Sequence, residues 1–113
     1  MVAIRVVLDE TGLLKRCGVQ GHAESGPAGG DVVCAAVSVL ARTALAVLSA
    51  REDIVVRGDA PQRGVFFLEA DAPDGPGREF LAAAGAFLLE GLGSVVREYP
   101  ENCTMTIKKE RRD

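Results

Sequence analysis

Val2-Ala3-Ile4-Arg5-Val6-Val7-Leu8 alternates, with Val2, Ile4, Val6 and Leu8 making one wholly apolar parity and Arg5 falling on the other. A two-residue period built on β-branched residues predicts a strand with one face buried. Asp9-Glu10-Thr11-Gly12 reads as a turn, with glycine at the permissive position. Leu13 to Gly21 predicts a second strand, the hairpin partner of the first, with Cys17 and Val19 inward and Arg16 and Gln20 outward. The period then changes. Val33, Val37, Leu40, Ala44, Val47 and Leu48 recur at helical spacing and predict a helix over Val32 to Ala50, with Asp31 as its N-cap. Asp53 to Gly58 predicts a third strand, Asp59 to Gly64 a turn, and Val65 to Ala70 a fourth strand. Beyond a loop at 71–77, Phe80, Leu81, Ala84, Phe87, Leu88, Gly91, Leu92 and Val95 form one helical stripe, stopped by Tyr99-Pro100. Asn102 to Lys108 predicts a last strand, with Cys103, Met105 and Ile107 on its inner parity.

The order ββαββαβ, with one apolar parity per strand, predicts an α+β fold. It is a two-layer sandwich with both helices on one face of a mostly antiparallel sheet. A length of 113 residues fits a single domain over 1–113. The chain is 48% hydrophobic but 4% aromatic, so its core is aliphatic; a domain this small gains from burying apolar faces in a dimer. A net charge of -3 argues against nucleic acid as a direct partner. The basic cluster Lys108-Lys109-Glu110-Arg111-Arg112-Asp113 reads as a solvated, fraying end. Met1-Val2-Ala3-Ile4-Arg5 is no secretory signal, and Ser38, Arg42 and Thr43 interrupt the one apolar run that approaches the length of a membrane span. A cytoplasmic protein with no membrane partner is expected, its three cysteines reduced.

Candidate chemistry gathers at residues 21–38, which hold the only histidine and one cysteine. The glycine-rich segment 23–30 predicts a flexible loop between strand and helix. With Asp31 as N-cap, Cys34 falls in the first helical turn, where unpaired amides and the helix dipole favour a thiolate. Amides of the same turn can donate to an oxyanion. His22 lies twelve positions earlier; if the loop turns back, imidazole can take the thiol proton and later return it. Ser38, one turn after Cys34 on the same face, can line a pocket or bond substrate. Asp31 can cap the helix or orient His22, and the two roles compete. Cys17 and Cys103 fall on inward parities and read as core. Their spacing from His22 and Cys34 does not suit zinc, and Gly26-Pro27-Ala28-Gly29-Gly30 lacks the Gly-Lys-Ser/Thr of a phosphate loop. No metal or cofactor is expected. The acids Glu52, Asp53, Asp71 and Asp74 read as solvated turn ends.

Gly21-His22-Ala23 followed by Asp31-Val32-Val33-Cys34-Ala35-Ala36-Val37-Ser38 resembles the signature of the ribosomal-processing cysteine protease (Prp) family, and the length and element order fit as well. The resemblance implies an endopeptidase that removes a short N-terminal extension from large-subunit ribosomal protein twenty-seven before ribosome assembly. It implies Cys34 as nucleophile, His22 as base, a homodimer, and a loop that orders around the substrate peptide. Gly21, Asp31, Ala35 and Ser38 carry over as motif members that bind or orient substrate. Where relatives have a bulky residue after Gly-His-Ala, this chain has Glu24-Ser25-Gly26-Pro27, which implies a weaker hold on an apolar cleavage motif. Two other classes stand beside this reading. One is a non-catalytic ribosome-associated module in which Cys34 is structural; the other is a thiol-dependent hydrolase of small amides or esters.

Overall fold

A computed structural model of the chain describes residues 1–21, 30–62 and 64–112, with the backbone alone at residues 30 and 31. The two periods in the sequence become β1 (Val2–Leu8), β2 (Leu14–Gln20), α1 (Gly30–Ser49), β3 (Val55–Gln62), β4 (Val65–Asp71), α2 (Pro76–Glu98) and β5 (Cys103–Lys109). The strands form one sheet in the order β3-β4-β2-β1-β5. Neighbours are antiparallel except β1 and β5, which run parallel with Val2 opposite Cys103 and Leu8 opposite Lys109. That exception has a cause in the connection: a strand that returns to its sheet through a helix must enter in the same sense as the strand it left. Here β4, α2 and β5 make such a crossover, and it passes over β2 and β1.

Both helices cover the face to which the predicted apolar parities point. Val2, Ile4, Val6, Cys17, Val19, Phe66 and Leu68 rise from the sheet and meet Val33, Val37, Ala41 and Leu48 of α1 and Leu81, Leu88 and Leu92 of α2 in one aliphatic core. The expected α+β two-layer sandwich is the observed one. The helices touch each other where Gly91 faces Leu40. A Cβ there would stand 2.9 Å from a Leu40 methyl, so glycine sets how closely α2 approaches α1. By length and composition alone both helices are apolar enough to cross a membrane, Ser38, Arg42 and Thr43 notwithstanding. Each nonetheless lays its inner side on the sheet as a core helix does.

Several boundaries and faces differ from the expectation. α1 opens at Gly30, so Asp31 is not the residue before the helix but the second one in it. β3 runs through Ala60-Pro61-Gln62, which reads as turn; as an edge strand it tolerates a proline that donates no hydrogen bond. Phe87 is 75% exposed and Val47 40% exposed, because the buried line of α2 runs through Leu81, Gly85, Leu88 and Leu92 and that of α1 through Val33, Val37, Ala41, Ala44 and Leu48. Ile107 is 49% exposed, since only the first half of β5 lies against the core.

The basic tail departs most. It does not fray. The Glu110 amide donates to the Leu8 carbonyl at 2.8 Å, and the Glu110 carboxylate accepts from Lys15 and Arg16. Arg112 donates to the carbonyls of Ala70 and Leu14 and, at 2.9 Å, to the carboxylate of Asp9, which is fully buried. Asp9 also accepts from the Thr11 amide and hydroxyl and the Leu13 amide, and Arg78 stands 3.4 Å away. One guanidinium thus ties the β1–β2 turn to the far end of β4.

Candidate active site

Cys34 is the fifth residue of α1 and is half-buried, with its inner side against the core. Its own amide can bond back to Gly30, and among the described residues the amides without intrahelical partners are those of residues 30 to 32. The sequence places Cys34 two positions nearer the helix start than the structure does. The other two cysteines are sealed. Burial pushes the Cys17 thiol up to about 12. Cys103 is also pushed up, by burial first and then by Cys34, which lies near enough for its charge to oppose a second one. No cysteine is in a disulfide, and of the three Cys34 alone is not fully enclosed.

A cavity of about 560 Å³ opens beside Cys34. Its floor is the end of the sheet: Val2 of β1, Val19 of β2, and Val65 and Phe66 of β4. One wall is α1, which presents Cys34, Ser38, Ala41 and Arg42; offsets of four, seven and eight residues return to one side of a helix. The opposite wall is the edge strand β3, through Ala60 and Gln62. Gly21, Cys34, Ala35 and Ser38, all singled out from sequence, line this one space. His22 and the loop 23–29 lie outside the described residues, as does the Asp31 side chain; His22 directly follows Gly21, which is in the lining. The sequence reading missed Gln62 and Phe66, which come from strands distant along the chain. It noted Arg42 only as an interruption, although the offset from Cys34 would have placed both on one face. Among the described residues Arg42 is the only charged one in the lining.

Gly21 is held by geometry that only glycine tolerates. Its φ is +102°, its amide donates to the Gly64 carbonyl at 2.9 Å, and a Cβ would collide with the backbone carbonyl oxygen of Met1. Gly21→Ala is therefore expected to lower stability by about 1–3 kcal/mol. A reduced urea midpoint at unchanged slope checks it; an unshifted midpoint would refute the strain argument.

A second cavity, of about 680 Å³, lies at the other end of β1 between the β1–β2 turn and α2. Its lining includes Leu8, Thr11, Leu13, Arg78 and Leu89 but no cysteine or histidine, so it offers no thiol and no imidazole base. Among the described residues no group of three His, Cys, Asp or Glu side chains can hold a metal.

Residues 1–104 match a protein-family model described as cysteine protease Prp. No curated protein is significantly similar in sequence. Among solved structures, the fold is similar to the Staphylococcus aureus ribosomal processing protease Prp in complex with a substrate peptide, at 20% identity and a TM-score of 0.80, over 96% of this chain and 100% of that one. The same protease with a covalently linked product peptide superposes at 19% identity and a TM-score of 0.78, with the same coverage. The Streptococcus mutans protein SMU.848 is 25% identical with a TM-score of 0.78, over 97% of this chain and 96% of that one.

Proposed function

The chain belongs to the Prp family of cysteine proteases, and from that premise we propose that it is a cytoplasmic endopeptidase acting on large-subunit ribosomal protein twenty-seven. It removes the N-terminal extension of that protein before the ribosome is assembled. Cys34 is the nucleophile and His22 its base. The observation that carries the reading is the half-buried Cys34 in the lining of a cavity with an apolar floor, while burial pushes up the thiols of the other two cysteines. Likeness to a protease structure that holds a covalently linked product peptide supports it.

In the proposed reaction His22 takes the Cys34 proton and the thiolate attacks the scissile carbonyl. The tetrahedral oxyanion accepts from free amides at the start of α1, residues 30 to 32, so the helix terminus stabilises charge that develops only in the transition state. His22 then protonates the leaving amine, and a water that it deprotonates hydrolyses the thioester. Gly21 fixes the backbone leading into His22. Ser38 and Ala35 shape the cleft beside the sulfur. Asp31, the second residue of the helix, is assigned to orienting His22. No cofactor takes part, and nucleic acid and membrane are not direct partners.

The test is incubation of the purified protein with the ribosomal precursor, with mass spectrometry to locate the cut. One defined N-terminal cut is expected, abolished when Cys34 is first alkylated with iodoacetamide; Cys17 and Cys103 should remain unmodified. Cleavage that survives alkylation would refute the nucleophile. No cleavage with an inert Cys34 would favour a binding module, and turnover of small amides or esters without the precursor would favour a simple hydrolase.

The working form is proposed to be a homodimer, supported by apolar side chains left exposed on the helices: Val39 at 64% and Phe87 at 75% exposure, and Val32 and Val47 as well. Phe87→Glu is expected to convert the dimer to a monomer of unchanged circular dichroism. Light scattering reads the mass, and a mass that does not change would remove this face from the interface.

A further inference from the structure

We infer that Arg42 selects substrates bearing an acidic side chain three to four residues from the scissile bond. The inference deepens the peptidase reading and rests on the cavity being a peptide cleft. Arg42 is exposed, lines the same cavity as Cys34, and has neither a hydrogen bond nor an ion pair with any described residue. Every other residue named in that lining is uncharged. A guanidinium unpaired among the described residues, in the lining of an apolar-floored cleft, is a ready partner for a carboxylate, which it can bind through two parallel hydrogen bonds.

Distance sets the position. Cys34 and Arg42 are eight residues apart on α1, or about 12 Å along the axis at ~1.5 Å per residue. An extended peptide advances ~3.3 Å per residue, so 12 Å is a span of three to four residues. Ser38 lies midway along the helix and Gln62 of β3 lines the same cavity, so the lining offers neutral hydrogen-bonding groups and no competing charge among the described residues. The preferred position lies on the side of the scissile bond that runs from Cys34 toward the C-terminal end of α1. Arg42 does not reach the reacting carbonyl, so its effect falls on binding and KM rather than on kcat.

The experiment uses a set of fluorescein-labelled, alanine-rich decapeptides, with mass spectrometry to locate any cut. A single Glu, Gln or Lys is moved through every position on both sides. Anisotropy with the Cys34→Ala protein measures binding, and the active protein measures cleavage. Glu is expected to bind about 3- to 10-fold more tightly than Gln at one position three or four residues from the cut. The advantage should disappear at 0.5 M salt (about a 4 Å screening length) and in Arg42→Gln. It should pass to Lys in Arg42→Glu, the reversal that a merely structural role would not produce. Equal binding of the three peptides at every position, or a preference that survives Arg42→Gln, overturns the inference, as does failure of every peptide to bind. Cleavage without an acidic preference sinks this inference alone. An acidic preference at one position that is lost in Arg42→Gln, in a protein that leaves the ribosomal precursor uncut, supports this inference while sinking the peptidase reading.

Discussion

Arg112→Ala is expected to cost about 3 kcal/mol of folding stability at pH 7, the usual penalty for leaving a buried charge without its partner. Asp9 is fully buried, and Arg112 reaches it at 2.9 Å from a position that is itself only 13% exposed. Burial alone would raise the Asp9 carboxyl. Hydrogen bonds from Thr11 and Arg112 and from the Leu13 and Thr11 amides outweigh it and hold the carboxyl well below the usual carboxylate range. Arg78, at 3.4 Å, and the turn amides remain in the variant, so the loss falls at the low end of the range for broken buried pairs. The pH dependence has a definite sign. A carboxyl with a depressed folded pKa contributes its full stability above its unfolded value, about 3.9, and loses it as pH falls toward the folded value. The difference between wild type and Arg112→Ala should therefore be largest near neutrality and should shrink below about pH 4. Glu110, held down to about 2 by Arg16 and Lys15, titrates in both proteins and largely cancels in that difference. Urea titrations of both proteins from pH 7 to pH 3 give the comparison. Equal midpoints at pH 7, or a gap that widens in acid, would refute this account of the tail.

Cys34→Ala is expected to reduce precursor cleavage by at least ~10³-fold, since removing a nucleophile leaves only what binding and oxyanion donors contribute. His22→Ala should cost about 10²- to 10⁴-fold, the range for loss of a general base. The double variant should be little worse than Cys34→Ala, because residues that act in one step do not contribute additively. Half-buried Cys34 packs against the core on one side only, so its truncation to alanine should leave the protein folded, and a thermal melt run beside the assay separates lost chemistry from lost structure. A residual rate within tenfold of wild type in either single variant would remove that residue from the mechanism.

The fold was readable because two periods dominate the chain. Val2, Ile4 and Val6 repeat every second residue, while Val33, Val37, Ala44 and Leu48 repeat at helical spacing, and both patterns report burial directly. Misreadings came where burial is decided by a partner far along the chain. Nothing local distinguishes Arg112 from a solvated arginine; its partner Asp9 is 103 residues away. Ala60-Pro61-Gln62 has the composition of a turn and is strand only because β4 pairs alongside it. Phe87 fits a helical stripe as well as Leu88 does, and only the angle at which α2 meets the sheet puts one out and the other in. At the site, Cys34, Ala35 and Ser38 were legible because one helix carries them, and Gly21 because it stands beside His22. Phe66 and Gln62 were not, because a cavity wall built from a strand hairpin leaves no spacing signal relative to a helix.

The parallel seam between β1 and β5 also imposes a schedule on the nascent chain. β1 can pair with β2 once the first hairpin has emerged, but its other edge stays open until Cys103–Lys109 arrives. Contacts between such remote segments carry the largest closure entropy and form last. Until then Val2, part of the cavity floor, lacks its neighbour Cys103, and the Asp9 carboxylate lacks Arg112. A translation intermediate that stops short of β5 therefore has an unpaired sheet edge beside an unfinished cleft, which makes it a client for chaperones before it is a peptidase.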